Sequence, residues 1–226
     1  IEQTKQINVI KSSLDNSQIR GEIGETLMQN IVKNEGFVEG SVPGGYELQK
    51  VQEDGKKPDM VIHITDENSV IIDSKFPVDQ YNEYSKEEDP KKLKFLEKKV
   101  LESVETHVDA LSKKKYKTNS YKNVLMFLPN EDLYATAKRA DKTNSLDNRA
   151  RKKGIQIVTP SLLIPILGLL TSQIKQQKHK ENVYEELIDL VESVRKILKD
   201  QRPLGKKILK LLNKVKELVS VADECS

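Results

Sequence analysis

Two short apolar runs, Asp59–Ile64 and Val70–Lys75, constrain this chain more than any other feature. The first alternates in polarity and the second is rich in β-branched residues, which suits strands rather than helical turns. Asp66-Glu67-Asn68 between them is turn chemistry, so the two runs are expected to pair as a hairpin. Strands of this buried type do not belong to a purely structural coiled coil, although helical periodicity flanks them on both sides.

On the amino-terminal side, residues 18–34 place Ile23, Leu27, Met28, Ile31 and Val32 along one side of a helix that Gly36 ends. Pro43-Gly44-Gly45 is a turn, and Tyr46–Val51 is expected as a short strand. Beyond the hairpin, Leu93, Leu96, Val100, Val104 and Leu111 predict a long amphipathic helix over 90–112. Val124–Leu128 reads as a buried strand stopped by Pro129, followed by a helix over 131–150 and a strand over Ile155–Val158. Thr159-Pro160 opens another helix, where proline is tolerated in the first turn. At the two ends, Ile7, Ile10 and Leu14 predict the tail of a coiled-coil type helix over 1–17. Apolar residues three and four apart predict two helices over 183–219, hinged near Pro203. The whole predicts a mixed α/β domain over 18–180 with helical extensions at 1–17 and 181–226, the latter offering an apolar seam for homo-oligomer formation.

Composition removes several functional classes. The longest apolar run, Leu162–Leu170, is nine residues and contains Pro165, whereas a bilayer span needs about 20, so no membrane segment is expected. Cys225 is the only cysteine, which excludes a disulfide framework or a cysteine metal site and leads to the expectation of a reducing, cytoplasmic setting. The chain opens on Ile1 rather than Met, which reads as an excised piece of something longer. Charge is unevenly placed: residues 1–90 hold 9 Lys/Arg against 18 Asp/Glu, and residues 91–226 hold 29 against 17. This asymmetry predicts an acidic site in the first part and an anion-binding surface in the second.

The acidic site has candidates. Pro58-Asp59 precedes the first strand of the hairpin, and Asp73-Ser74-Lys75 closes the second. Alternation puts Asp73 and Lys75 on one face, and the hairpin sets Asp59 beside them. Crowded carboxylates repel unless a cation joins them or one stays protonated, and oxygen ligands with room for water suit Mg²⁺ or Mn²⁺. A surface hairpin closed by a salt bridge fits the same residues. His63 shares the Asp59 face as a ligand, a base or simply a partnered histidine. Upstream, Arg20-Gly21-Glu22-Ile23-Gly24-Glu25 puts two glycines in one helical turn, at about 1 kcal/mol each relative to alanine, which implies close approach of another backbone. Glu25 lies at the margin of the apolar stripe and Glu22 points away, so Glu25 is the better candidate to face the sheet.

Taken together, Arg20-Gly21-x-x-Gly24-Glu25, Pro58-Asp59, Ile71-Ile72-Asp73-Ser74-Lys75, Tyr81-x-x-Tyr84, Phe127-Leu128-Pro129-x-Glu131 and Val158-Thr159-Pro160-Ser161-Leu162-Leu163 resemble the RmuC family of DNA recombination proteins. The resemblance runs from about residue 18 to 200. It implies a core similar to the PD-(D/E)xK nucleases: a restriction-endonuclease-like mixed sheet flanked by helices. It also implies that Glu25, Asp59, Asp73 and Lys75 are catalytic, with Glu25, Asp59 and Asp73 holding Mg²⁺ or Mn²⁺. Ile23 stands where the family often has an aromatic residue, and Ser74 where it commonly has alanine.

Two functional classes follow. One is a metal-dependent deoxyribonuclease acting in recombination or repair; the other is a non-catalytic DNA-binding or scaffolding protein on a degenerate nuclease fold. Either needs a DNA surface. Arg20, the run Lys113, Lys114, Lys115 and Lys117 around Tyr116, and Arg151, Lys152 and Lys153 are the candidates, contacting phosphates without reading sequence.

Overall fold

The structure, a computed structural model, describes residues 17–52, 55–116, 124–199 and 208–216. Its elements run α1 (Ser17–Asn34), β1 (Val38–Glu39), β2 (Gly45–Leu48), β3 (Met60–His63), β4 (Ser69–Ser74), α2 (Val78–Ser85), α3 (Pro90–Lys114), β5 (Val124–Phe127), α4 (Glu131–Ala140), α5 (Leu146–Lys152), β6 (Ile155–Val158) and α6 (Pro160–Lys199). Residues 208–216 are also helical. Residues 1–174 and 175–226 form two compact units.

In the first unit the expected hairpin is central. β3 and β4 pair antiparallel, with Met60 opposite Ile72 and His63 opposite Ser69. The six strands lie in the order β1-β2-β3-β4-β5-β6, with β2 antiparallel to β3 and with β5 and β6 added parallel to β4. The sheet is mixed, as the α/β expectation requires.

Side-chain alternation sorts the sheet into two faces. Met60, Ile62, Ile72, Leu125 and Phe127 pack with Met28 and Val32 of α1 and with Leu163, Leu167, Leu170 and Ile174 of α6. Val61, Ile71, Met126, Ile155 and Ile157 pack with Val100, Val104, Val108 and Leu111 of α3, Leu133 of α4 and Leu146 of α5. Any odd-numbered residue at the Asp73 end of β4 therefore belongs to the α3 side, which decides the composition of the site.

Several expectations need correction. The helix expected over 131–150 is two helices, because the Asp141 carboxylate takes the backbone N–H groups of Ser145 and Leu146 at 2.7 and 2.6 Å. Side chains of this kind compete with the helical ladder and restart it. The strand expected over Tyr46–Val51 ends at Leu48, where Gln49 takes a left-handed conformation. β1 and α2 have too little apolar periodicity to have been expected. The amino-terminal helix over 1–17 and the hinge near Pro203 fall outside the described residues, apart from Ser17 at the start of α1. Within the second unit, Leu187, Ile188 and Val191 of α6 line an apolar groove together with Val215.

Two glycines separate steric need from mere presence. A Cβ on Gly45 would lie 2.3 Å from the Gly40 carbonyl oxygen, whereas one on Gly21 meets nothing within 4 Å. We predict opposite signs for the two alanine variants. Gly45→Ala is expected to lose about 2–4 kcal/mol, and Gly21→Ala to gain up to about 1 kcal/mol from helix propensity. Urea midpoints at unchanged slope check this; equal effects would refute the steric assignment.

Candidate functional site

The site is the end of the hairpin that faces α3. Asp73 is completely buried on β4. The Lys75 ammonium contacts Asp73 Oδ1, donates to the Ser74 carbonyl at 2.9 Å and lies 4.0 Å from Asp59 Oδ2. Asp59 Oδ2 accepts the Ser74 backbone N–H at 2.7 Å. One ammonium reaching both carboxylates keeps them within roughly 7 Å of each other, a hydrogen bond plus the longer contact. Asp59, Asp73 and Lys75 thus converge as the alternation argument expects.

Two further residues complete the cluster. Lys114 Nζ donates to Asp73 Oδ2 at 2.7 Å, and the Tyr116 hydroxyl donates to the same oxygen at 2.8 Å. Lys114 also donates to the Tyr116 oxygen at 3.1 Å. The geometry comes from the end of α3: the helix runs on to Lys114, and Lys115 turns left-handed with φ 46°, so residues 114 and 116 both reach Asp73. Lys56 donates to the Lys115 carbonyl at 2.9 Å and ties the turn down. Sequence reasoning grouped Lys114 with its neighbours as a phosphate contact and gave Tyr116 no role. The only local signal was a Lys-x-Tyr straddling a helix end.

Glu25 is placed differently from the aspartates. It sits on α1, whose packing lies across the sheet from α3, and its Oε2 accepts from Gln49 Nε2 at 3.1 Å. It is near enough to raise the Asp59 pKa. Among the described residues, however, no group of three or more His, Cys, Asp or Glu side chains is arranged to hold a metal ion. The expected approach of another backbone is not what crowds these glycines: a Cβ on Gly24 would come within 2.8 Å of the Ser74 Oγ and 3.4 Å of the Pro129 side chain, and one on Gly21 meets nothing within 4 Å. His63 sits at the far end of β3, with Nε2 2.7 Å from Glu47 Oε2.

The basic candidates divide. Lys113 and Lys115 are exposed, as are Arg151, Lys152 and Lys153. Arg151 bonds Asn148 at 2.5 Å, and Lys153 contacts Asp109. Arg20 lies on α1 with its side chain outside the described residues, and Lys117 is wholly outside them.

The electrostatics split the two aspartates. Burial, reinforced by the Asp73 charge, pushes Asp59 up to about 6, against the pull of Lys75 and the Ser74 N–H. Burial works against Asp73 as well, but Lys75 and Lys114 outweigh it and hold that carboxyl below its ordinary value. Burial disfavours the Lys114 charge, yet the bonds to Asp73 and Tyr116 raise its pKa overall. Burial pushes Tyr116 up to about 12. Two carboxylates driven apart in this way suit complementary roles, one staying ionised and the other exchanging a proton near neutrality.

Because the folded pKa of Asp59 is raised, the native state keeps a proton that the unfolded chain has already lost between about pH 4 and 6. Its effect is therefore a loss of stability as pH rises through that window, roughly 3 kcal/mol at most. With chelator present, Asp59→Asn is predicted to raise the thermal midpoint at pH 7.5 and to give no advantage at pH 4. An unchanged pH profile would contradict the assignment.

A mixed sheet between helical layers, with an Asp-Asp-Lys cluster at the end of its hairpin, defines the class: an α/β domain with a buried, charge-compensated polar site. The RmuC family profile matches residues 2–224, and the chain belongs to the RmuC family. It is 24% identical over 210 residues to a DNA recombination protein RmuC homolog of Yersinia pestis, covering 89% of this chain and 44% of that protein. A Vibrio cholerae serotype O1 protein of the same description is 26% identical over 210 residues, 88% of this chain and 40% of the relative. The DNA recombination protein RmuC of Salmonella typhimurium is 24% identical over 213 residues, with 89% and 44% covered. The chain spans less than half the length of these relatives. No solved structure matches it at a significant level. No helix among the described residues is long and apolar enough to cross a membrane.

Proposed function

We propose that this chain is a metal-dependent DNA nuclease that hydrolyses phosphodiester bonds in recombination or repair. The observation that carries this reading is the convergence of Asp59 and Asp73 on one ammonium, Lys75, at the open end of a hairpin. The donor set fits Mg²⁺ or Mn²⁺, because such ions are held by one or two carboxylates while keeping several waters. Asp59 and Asp73 would hold the ion, with Glu25, bonded to Gln49 and near enough for its charge to reach Asp59, as the third carboxylate. When bound, the ion lowers the pKa of a coordinated water and polarises a phosphoryl oxygen.

The chain's own residues supply the rest. Lys75 is fixed by Asp73 and the Ser74 carbonyl, so its charge is preorganised for negative charge growing on a phosphoryl oxygen. Asp59, with its pKa near 6, is largely ionised at neutral pH and so is available to the ion, which would hold it ionised. Exposed Lys113 and Lys115 offer phosphate contacts whose strength falls with salt. The choice of DNA is supported by the names of the relatives, which are DNA recombination proteins.

One observation favours a second reading, a DNA-binding scaffold on a degenerate nuclease fold. Both oxygens of Asp73 are already engaged, by two ammonium groups and a phenol.

Cleavage of labelled single- and double-stranded DNA, with Mg²⁺, Mn²⁺ or chelator, separates the two. Asp73→Asn, checked for folding by circular dichroism, is expected to cut at least about 100-fold more slowly while binding DNA as tightly as wild type or more so. Lys75→Ala is expected to impair cutting as well. Wild type that binds DNA but cuts with no divalent ion would replace the enzyme by the scaffold.

A further inference from the structure

We propose that Lys114 is a built-in counter-ion of Asp73 that competes with the divalent ion, so that loading the ion drives the Lys114 side chain out. This rests on the reading of Asp73 as an ion ligand; the exchange itself is argued from the geometry of one oxygen atom.

Asp73 Oδ2 accepts two hydrogen bonds, from Lys114 at 2.7 Å and from Tyr116 at 2.8 Å. A carboxylate oxygen has two lone-pair directions, so Oδ2 has none left for a metal. Oδ1 is contacted by Lys75. Oδ1 keeps one lone-pair direction, but an ion entering there sits beside two ammonium groups, and the like-charge repulsion is relieved when one of them leaves. Of the two ammonium groups, Lys114 is the one able to go. Lys75 is 23% exposed and is also bonded to the adjacent Ser74 carbonyl. Lys114 is 40% exposed, comes from a different element and ends a helix beside exposed Lys113 and Lys115. Swinging it out exchanges one ion pair and its bond to the Tyr116 oxygen for water, and Tyr116 remains to hold the carboxylate.

The arrangement also accounts for a buried, ionised Asp73. A charge with no exposed surface needs partners, and Lys114 is one of the two ammonium groups that supply them. Moving out, the ammonium joins the Lys113 and Lys115 rim, the side from which a phosphate would attract it.

The test measures Mn²⁺ binding without DNA, by electron paramagnetic resonance of free Mn²⁺, for wild type, Lys114→Met, Lys114→Arg and Tyr116→Phe. Lys114→Met is expected to bind Mn²⁺ at least tenfold more tightly than wild type, with Lys114→Arg close to wild type and Tyr116→Phe in between. Thermal unfolding gives a second readout, in which Mn²⁺ raises the midpoint of Lys114→Met more than that of wild type. Should Lys114→Met fail to fold without metal, recovery of its fold in Mn²⁺ supports the proposal and failure to recover overturns it. Mn²⁺ affinity no higher in folded Lys114→Met than in wild type, including no binding by either, also overturns it. The two readings fail separately. Equal affinities in a wild type that cuts DNA remove the counter-ion and leave the nuclease. Tighter binding by Lys114→Met in a protein that never cuts leaves the counter-ion and removes the nuclease.

Discussion

A carboxylate with no exposed surface stays ionised only if its surroundings replace the water it has lost, and much of this domain can be understood as the means of doing so for Asp73. Lys75, two residues on along the same strand edge, supplies one positive charge. Lys114 and Tyr116 arrive from 41 and 43 residues away, at the end of a 25-residue helix. That helix can deliver them only because Val100, Val104, Val108 and Leu111 fix it against Val61, Ile71 and Met126 of the sheet. The apolar layer and the polar cluster are therefore mutually dependent: the core sets the helix in register, and the helix end completes the charge balance at the strand end.

The same layering explains the position of Glu25. Pleating sends Asp73 with Ile71 toward α3, whereas α1 packs on Ile62 and Ile72 from the opposite side. Glu25 on α1 bonds Gln49 and influences Asp59 through space, and no group of three carboxylates arranged for a metal ion forms among the described residues. Gly24 marks how tightly α1 meets the strand end, with Ser74 and Pro129 against it.

The pair of aspartates shows how environment divides identical chemistry. Both are largely removed from water, but Asp73 has two ammonium partners and a phenol, while Asp59 has a backbone N–H and a more distant share of Lys75. The first is held ionised and the second sits near 6. Partner count, rather than burial alone, makes the difference.

Local pattern determined a good deal. Alternation in Asp59–Ile64 and the β-branched run ending at Lys75 specified the hairpin, the shared face of Asp59, Asp73 and Lys75, and with the flanking helical periodicities the mixed α/β class. These follow from periods of 2 and 3.6, which any stretch of sequence carries within itself. Asp141 was harder to read, because a single side chain capping a new helix competes with a periodicity that continues through it. The tertiary structure alone decided that Lys114 faces inward while Lys113 and Lys115 face solvent, that Tyr116 joins it, and that Glu25 bonds Gln49. In sequence those three lysines are identical neighbours. What distinguishes them is where α3 ends, the left-handed turn at Lys115, and a buried negative charge on a strand 41 residues earlier, none of which has a period to read.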